Sequence, residues 1–186
     1  ICTRLHCTPK FVETAWDGLI QSVSAGQNDV GGDGITFTED RAKSVDFSIG
    51  YLQIQQRLLV RQGESRFASI EELAANPEFN LGTQVNTTNY ETAKTYLAEE
   101  RIKAFDQFPF AIQALLAGDL DAVIIDEVVG LGYQGTNKDQ LEFVGPSISS
   151  DELGFVFTKG SDLVGPVNKA LEAMKADGTL ETLNQK

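Results

Sequence analysis

Arg41 closes the run Val30-Gly31-Gly32-Asp33-Gly34-Ile35-Thr36-Phe37-Thr38-Glu39-Asp40-Arg41, which reads as a strand end, a glycine-rich turn and the first turn of a helix. Thr38 suits the N-cap, and Glu39 and Asp40 complement the positive end of the helix dipole. Arg41 opposes it. Either its side chain points away into solvent or it meets an anion. Glycines that admit close backbone approach, N–H groups at a helix start and a forked guanidinium together make a site for a carboxylate or phosphate. An ordinary capped helix is the plainer alternative.

Other chemistries are poorly supplied. His6 is the one histidine, so there is no histidine pair for zinc and no conventional triad. It reads as a surface side chain near a helix end. Neither a metal nor a cofactor is expected. Cys2 and Cys7 lie five apart at what looks like a helix end; pairing them would require the helix to break, and two buried or half-buried thiols are the expectation. The net charge of -12 argues against nucleic acid and anionic membrane as partners and is weakly compatible with a cationic ligand. No apolar run reaches the ~18 residues of a membrane span, and no leader is read at the start.

These residues need elements to place them. With 186 residues, 41% apolar and 23% charged, the chain can build one ample core or two small lobes. A helix tail over residues 1–7 and a β-prone run over 10–15 come first. A helix over 18–25 follows, capped by Asp17, and then the strand entering the glycine-rich turn. Residues 51–61 are extended. Ser69 and Glu72 form a capping box, and strands are expected over 80–85 and 102–105. The run 121–125 is nearly all apolar, as in a parallel strand buried on both faces. Residues 141–144 read as a strand followed by Pro146 and a serine-rich turn, and 153–158 as a second extended crossing. Ser161 or Asp162 caps the last long helix, and a further helix starts at Thr179 and runs to Lys186.

The alternation gives an α/β fold with mostly parallel sheets. Two extended segments bracketing a middle block suit two lobes joined by two crossing strands. Lobe 1 is expected over 1–59 and 154–186, and lobe 2, inserted, over 60–153. Ligands bind beyond the carboxyl ends of strands in such sheets, which selects residues 33–36, 85–88 and Asp126, and with them the cleft between lobes.

The runs Trp16-Asp17-Gly18-Leu19-Ile20, Asn28-Asp29-Val30 and Ile35 to Ser48 closely resemble the extracytoplasmic solute-binding proteins of polar amino-acid ABC transporters. So do Ser69 to Leu73, Leu116 to Val123 and Lys175 to Leu180, in the expected order. The resemblance implies a two-lobed periplasmic-binding-protein-like fold with its first lobe incomplete, because roughly 30 residues forming a strand and helix precede the position of Ile1 in such proteins. A dimer or strand exchange would repair that lobe. It further implies that Trp16 covers the ligand's side chain. Gly34 and Thr36 offer backbone and hydroxyl contacts, and Arg41 grips the α-carboxylate. From lobe 2, Thr87 and Thr88 add donors, Gln84 faces the side-chain pocket and Asp126 accepts from the α-ammonium. Asp33 departs from the usual small residue. It is either a turn residue using its side chain locally or a pocket acid favouring a cationic side chain. Trp16 as core packing, Gln84 facing solvent, and Thr87, Thr88 and Asp126 as caps stay open as alternatives.

The implied function is non-catalytic capture of a polar or cationic L-amino acid by hinge closure, in the periplasm or another extracytoplasmic space, and delivery to an ABC-transporter membrane permease. A sensing module of a receptor or channel is the alternative. A cyclohexadienyl-dehydratase-like enzyme, with Asp33 or Glu127 as its acid, ranks lower.

Overall fold

The computed structural model describes residues 1–184. The first part of the chain forms α1 (Cys2–Leu5), α2 (Trp16–Ser24), β1 (Val30–Gly31), β2 (Val45–Phe47) and β3 (Leu52–Arg61). The middle forms α3 (Ile70–Ala75), β4 (Leu81–Gln84), α4 (Thr88–Tyr96), β5 (Ile102–Phe105), α5 (Phe108–Ala117), β6 (Ala122–Asp126) and α6 (Glu127–Thr136). Then come β7 (Leu141–Leu153), β8 (Val156–Thr158), α7 (Val164–Ala176) and α8 (Thr179–Asn184). The expected end of that last helix falls on residues 185 and 186, outside the described residues. Two compact units result, one of residues 1–53 with 151–186 and one of residues 54–150, and the chain passes between them within β3 and within β7.

In the first unit, β8 lies between β1 and β2 and is antiparallel to both, with Val30 opposite Phe157 and Val45 opposite Thr158. Successive strand residues face opposite sides. Val156 therefore packs on Leu19 and Val23 of α2, with Ile35 and Val45. Phe157, its neighbour, packs on Val167 and Leu171 of α7, where Ile1 and, from α1, Leu5 also settle. Gly31 has to be small, since a Cβ there would come within 2.7 Å of Val156 Cγ2.

The second unit is a sheet in the order β5-β4-β6-β3-β7. Ala122 and Ile124 of β6 join Leu58 and Val60 in a core roofed by Ile70 and Leu73 of α3 and Ala93 of α4. Val123 and Ile125 join Leu59 in the opposite core with Ala111, Ile112 and Leu115 of α5. Burial on both faces is why this run contains no polar residue before Asp126. β4 and β6 end side by side, and α4 and α6 start from those ends.

Several expectations need correction. The sheets are mixed rather than mostly parallel. β4 runs parallel to β5 and β6, but β3 is antiparallel to β6, and the first unit's sheet is antiparallel throughout. The run 10–15 makes no strand: Phe11 is 91% exposed, so its alternation has no surface to bury against. The serine-rich turn after Pro146 is instead part of β7, which tolerates a residue without an N–H because it ends the sheet's strand order. Asp17 lies inside the first turn of α2, with Ala15 at the N-cap. Ser161 and Asp162 likewise precede the N-cap of α7, which is Leu163. Cys2 and Cys7 form a disulfide rather than two thiols. The helix does break between them: α1 lasts one turn and ends at His6 with φ 55°, which brings the two Cα atoms to 4.8 Å. Among the described residues no helix is long and apolar enough to cross a membrane.

Candidate functional site

On the first unit, five of the sequence-selected residues lie along the path from α2 through the turn after β1. The expected helix after Thr38 is a 3-10 turn, Arg41–Lys43, so there is little helix dipole for Arg41 to oppose. The N-cap of that turn is Asp40 rather than the expected Thr38, and it makes no side-chain capping bond; Thr38 Oγ1 still accepts from Arg41 N at 3.1 Å from further out. The half-buried Arg41 side chain folds back instead of running into solvent. Its Nη1 donates to the Thr36 carbonyl at 2.9 Å, and its Cζ stands 5.5 Å from the Trp16 ring centroid. Thr36 is 3% exposed and bridges Leu153, with Phe37 N on Glu152 O and Gly154 N on Ile35 O on either side. A short ladder thus fixes the carbonyl that fixes the guanidinium. Trp16 packs at the edge of the Leu19–Val23–Ile35 core, which supports its packing reading, and it also holds the Arg41 guanidinium on one face.

Gly34 takes φ 63°, a left-handed conformation that glycine adopts without strain. The exposed Asp33 beside it is electrostatically coupled to Tyr51, a residue the sequence did not single out. Burial raises the Tyr51 phenol above its ordinary pKa and the Asp33 charge adds to that, while the Gly34 backbone amide works the other way. Tyr51 stacks on Phe155 with centroids 4.8 Å apart.

On the second unit, the remaining four residues gather where β4 and β6 end. Asn86, at φ 57°, turns the chain out of β4. Thr87 is the N-cap of α4, its hydroxyl accepting from Tyr90 N at 3.2 Å and donating to Gln84 O at 2.7 Å. Thr88 Oγ1 accepts from Gln56 Nε2 at 3.3 Å. Gln84 is 9% exposed, which removes the solvent-facing alternative. Asp126 stands at the N-cap position of α6 without a side-chain capping bond, and its Oδ1 accepts from Asn89 Nδ2 at 3.0 Å. Gln56 and Asn89 were missed. Gln56 carried a usable signal: in Ile54-Gln55-Gln56-Arg57-Leu58 it shares the inward face of Ile54 and Leu58, and a polar residue there needs a reason. Asn89 was hidden by its neighbours, because it closes the uniformly polar run Asn86-Thr87-Thr88-Asn89.

Glu127, the other acid weighed for catalysis, pairs with Arg57 Nη1 at 2.8 Å, and Arg57 Nη2 goes on to Gly145 O. The arrangement offers one cation with fixed geometry on the first unit and one oriented carboxylate on the second. Those are the complements of a carboxylate and an ammonium group.

Over residues 1–186 the chain matches the family described as bacterial extracellular solute-binding proteins, family 3. It is 29% identical over 175 residues to the L-cystine-binding protein TcyJ of Escherichia coli K12, covering 93% of this chain and 65% of that protein. The arginine-binding extracellular protein ArtP of Bacillus subtilis is 31% identical over 175 residues, covering 92% of this chain and 67% of that protein. A solved structure of an ancestral arginine-binding protein bound to arginine matches with TM-score 0.90 at 33% identity, over 99% of this chain and 82% of that one. These relatives are named for binding rather than for turnover. The chain spans about two thirds of the length of the curated relatives it matches.

Proposed function

The chain belongs to family 3 of the bacterial extracellular solute-binding proteins, and on that premise we propose that it binds a polar or cationic L-amino acid without chemical change. The α-carboxylate goes to Arg41 and the α-ammonium to Asp126; Trp16, Gly34 and Thr36 complete the first contact, and Gln84, Thr87 and Thr88 the second. Asp33 favours a cationic side chain. Delivery to an ABC-transporter permease in an extracytoplasmic space follows from the family's role. The observation that carries the reading is Arg41, half-buried, tied to the Thr36 carbonyl and held over Trp16. Catalysis is not part of the proposal: the relatives are named for binding, and Glu127 is committed to Arg57. The proposal does not extend to a dimer or strand exchange, which nothing in the relatives' descriptions supports.

A charge-assisted bidentate pair is worth roughly 1.5–3 kcal/mol, which is about tenfold or more in affinity. A thermal-shift panel of the twenty amino acids identifies the ligand, and calorimetry on Arg41→Ala should then show affinity lowered at least tenfold. Unchanged affinity in that variant would remove the reading.

A further inference from the structure

An aspartate at an N-cap position ordinarily accepts a hydrogen bond from the backbone of its own helix. Asp126 does not: α6 has no side-chain cap, and the carboxylate is drawn instead toward α4, where Asn89 Nδ2 donates to it at 3.0 Å. Asn89 is 3% exposed. A side-chain amide is costly to bury without hydrogen bonds, so this contact satisfies a group that packing alone would reject. A second amide lies alongside. Gln56, fully buried, stands opposite Asp126 in the β3–β6 register and donates to Thr88 Oγ1, next to Asn89 in sequence.

We propose that Asn89 is a positioning residue: it turns Asp126 away from capping α6 and holds its carboxylate in place for an ammonium group. This rests on the reading that Asp126 receives the amino acid's α-ammonium. The choice of an amide follows from the chemistry. A neutral N–H donor orients a carboxylate while leaving its charge intact, whereas lysine or arginine in that place would neutralise it and compete with the ligand.

Asn89→Asp preserves shape and sets a second carboxyl group against the first. With L-arginine and L-glutamine as probes, calorimetry should show binding weakened at least tenfold at about pH 8 and regained toward about pH 5.5, as the pair takes up a proton and one carboxyl becomes a donor. Asn89→Ala should lose about tenfold at every pH. Wild-type affinity in Asn89→Asp across the whole range would overturn the assignment. If the variants do not fold, the wild-type protein decides by NMR. The Asn89 side-chain amide signals should follow the titration of Asp126, and signals that ignore it overturn the pairing. Absence of amino-acid binding in the wild type counts against the proposed function instead, and the NMR titration still judges Asn89.

Discussion

Thr87 was selected as a ligand donor, yet both faces of its hydroxyl have work within the unit: the proton goes to Gln84 O and the oxygen takes Tyr90 N. Its largest measurable effect is therefore on stability. Losing such an N-cap typically costs about 1 kcal/mol, so Thr87→Ala should lower the urea unfolding free energy by about that much, while Thr87→Ser stays near wild type. Glu64 is a second residue whose role is electrostatic. Arg66 grips it through Nε and Nη2, at 3.0 and 2.6 Å, and this holds its carboxyl down to about 2 from 4.5. The lowered value means that the folded chain prefers the ionised form. Its contribution is complete above about pH 4.5 and is lost as pH falls toward 2. Asp177, also held at about 2 by Thr179 and Arg4, acts in the same direction. Glu64→Gln should therefore lower stability at pH 7 and flatten part of its fall between pH 4.5 and 2, read from urea midpoints at each pH. An unaltered acid limb would show the pair contributes nothing.

At the scale of elements, one arginine closes a helix end that the sequence gives no glycine to close. Arg101 donates to the carbonyls of Leu73, Ala74, Asn76 and Phe79, gathering the end of α3 and the chain after it at 2.7 to 3.1 Å. If it is removed, Leu73 O and Asn76 O keep the Asn76 and Phe79 amides, while Ala74 O and Phe79 O lose their side-chain donor. Arg101→Ala should destabilise the protein by about 2–3 kcal/mol by chemical denaturation, well beyond an ordinary surface change. Nothing in the residue pattern announced this, because the acceptors are backbone atoms and carry no residue type. What was legible is what packing periodicity encodes. The apolar run of β6 and the cap at Ser69 emerged in place, since each depends on neighbours a few residues away. Strand direction was not, because β3 meets β6 only through a distant register. Pro146 misled for the same reason: a proline breaks an inner strand, and only the finished sheet order shows that β7 is at its end. Among the candidate site residues, Arg41 and its glycine turn stood out by type and spacing, and their part in binding is a proposal. Asn89 and Gln56 act through other side chains and gave a weaker trace.

The whole molecule adds a field that no single residue supplies. It carries 27 acidic against 15 basic side chains, a formal charge of -12. A zwitterionic amino acid such as glutamine has no net charge for that field to act on, whereas arginine or lysine arrives with one positive charge and is drawn in over roughly a Debye length. The effect belongs to encounter, so it should appear in the association rate more than in dissociation. Trp16 makes it measurable without a label. It is the sole tryptophan, and its ring lies 5.5 Å from the Arg41 guanidinium, so capture of a carboxylate there should change its emission. Stopped-flow fluorescence should show the association rate of a cationic amino acid falling several-fold as salt rises from about 0.01 to about 0.15 M, with the rate for glutamine nearly flat. Equal salt slopes for the two would mean that the acidic surface takes no part in ligand choice. Discrimination would then rest on Asp33 and its immediate surroundings alone, and Asp33→Asn would have to abolish any preference for cationic ligands.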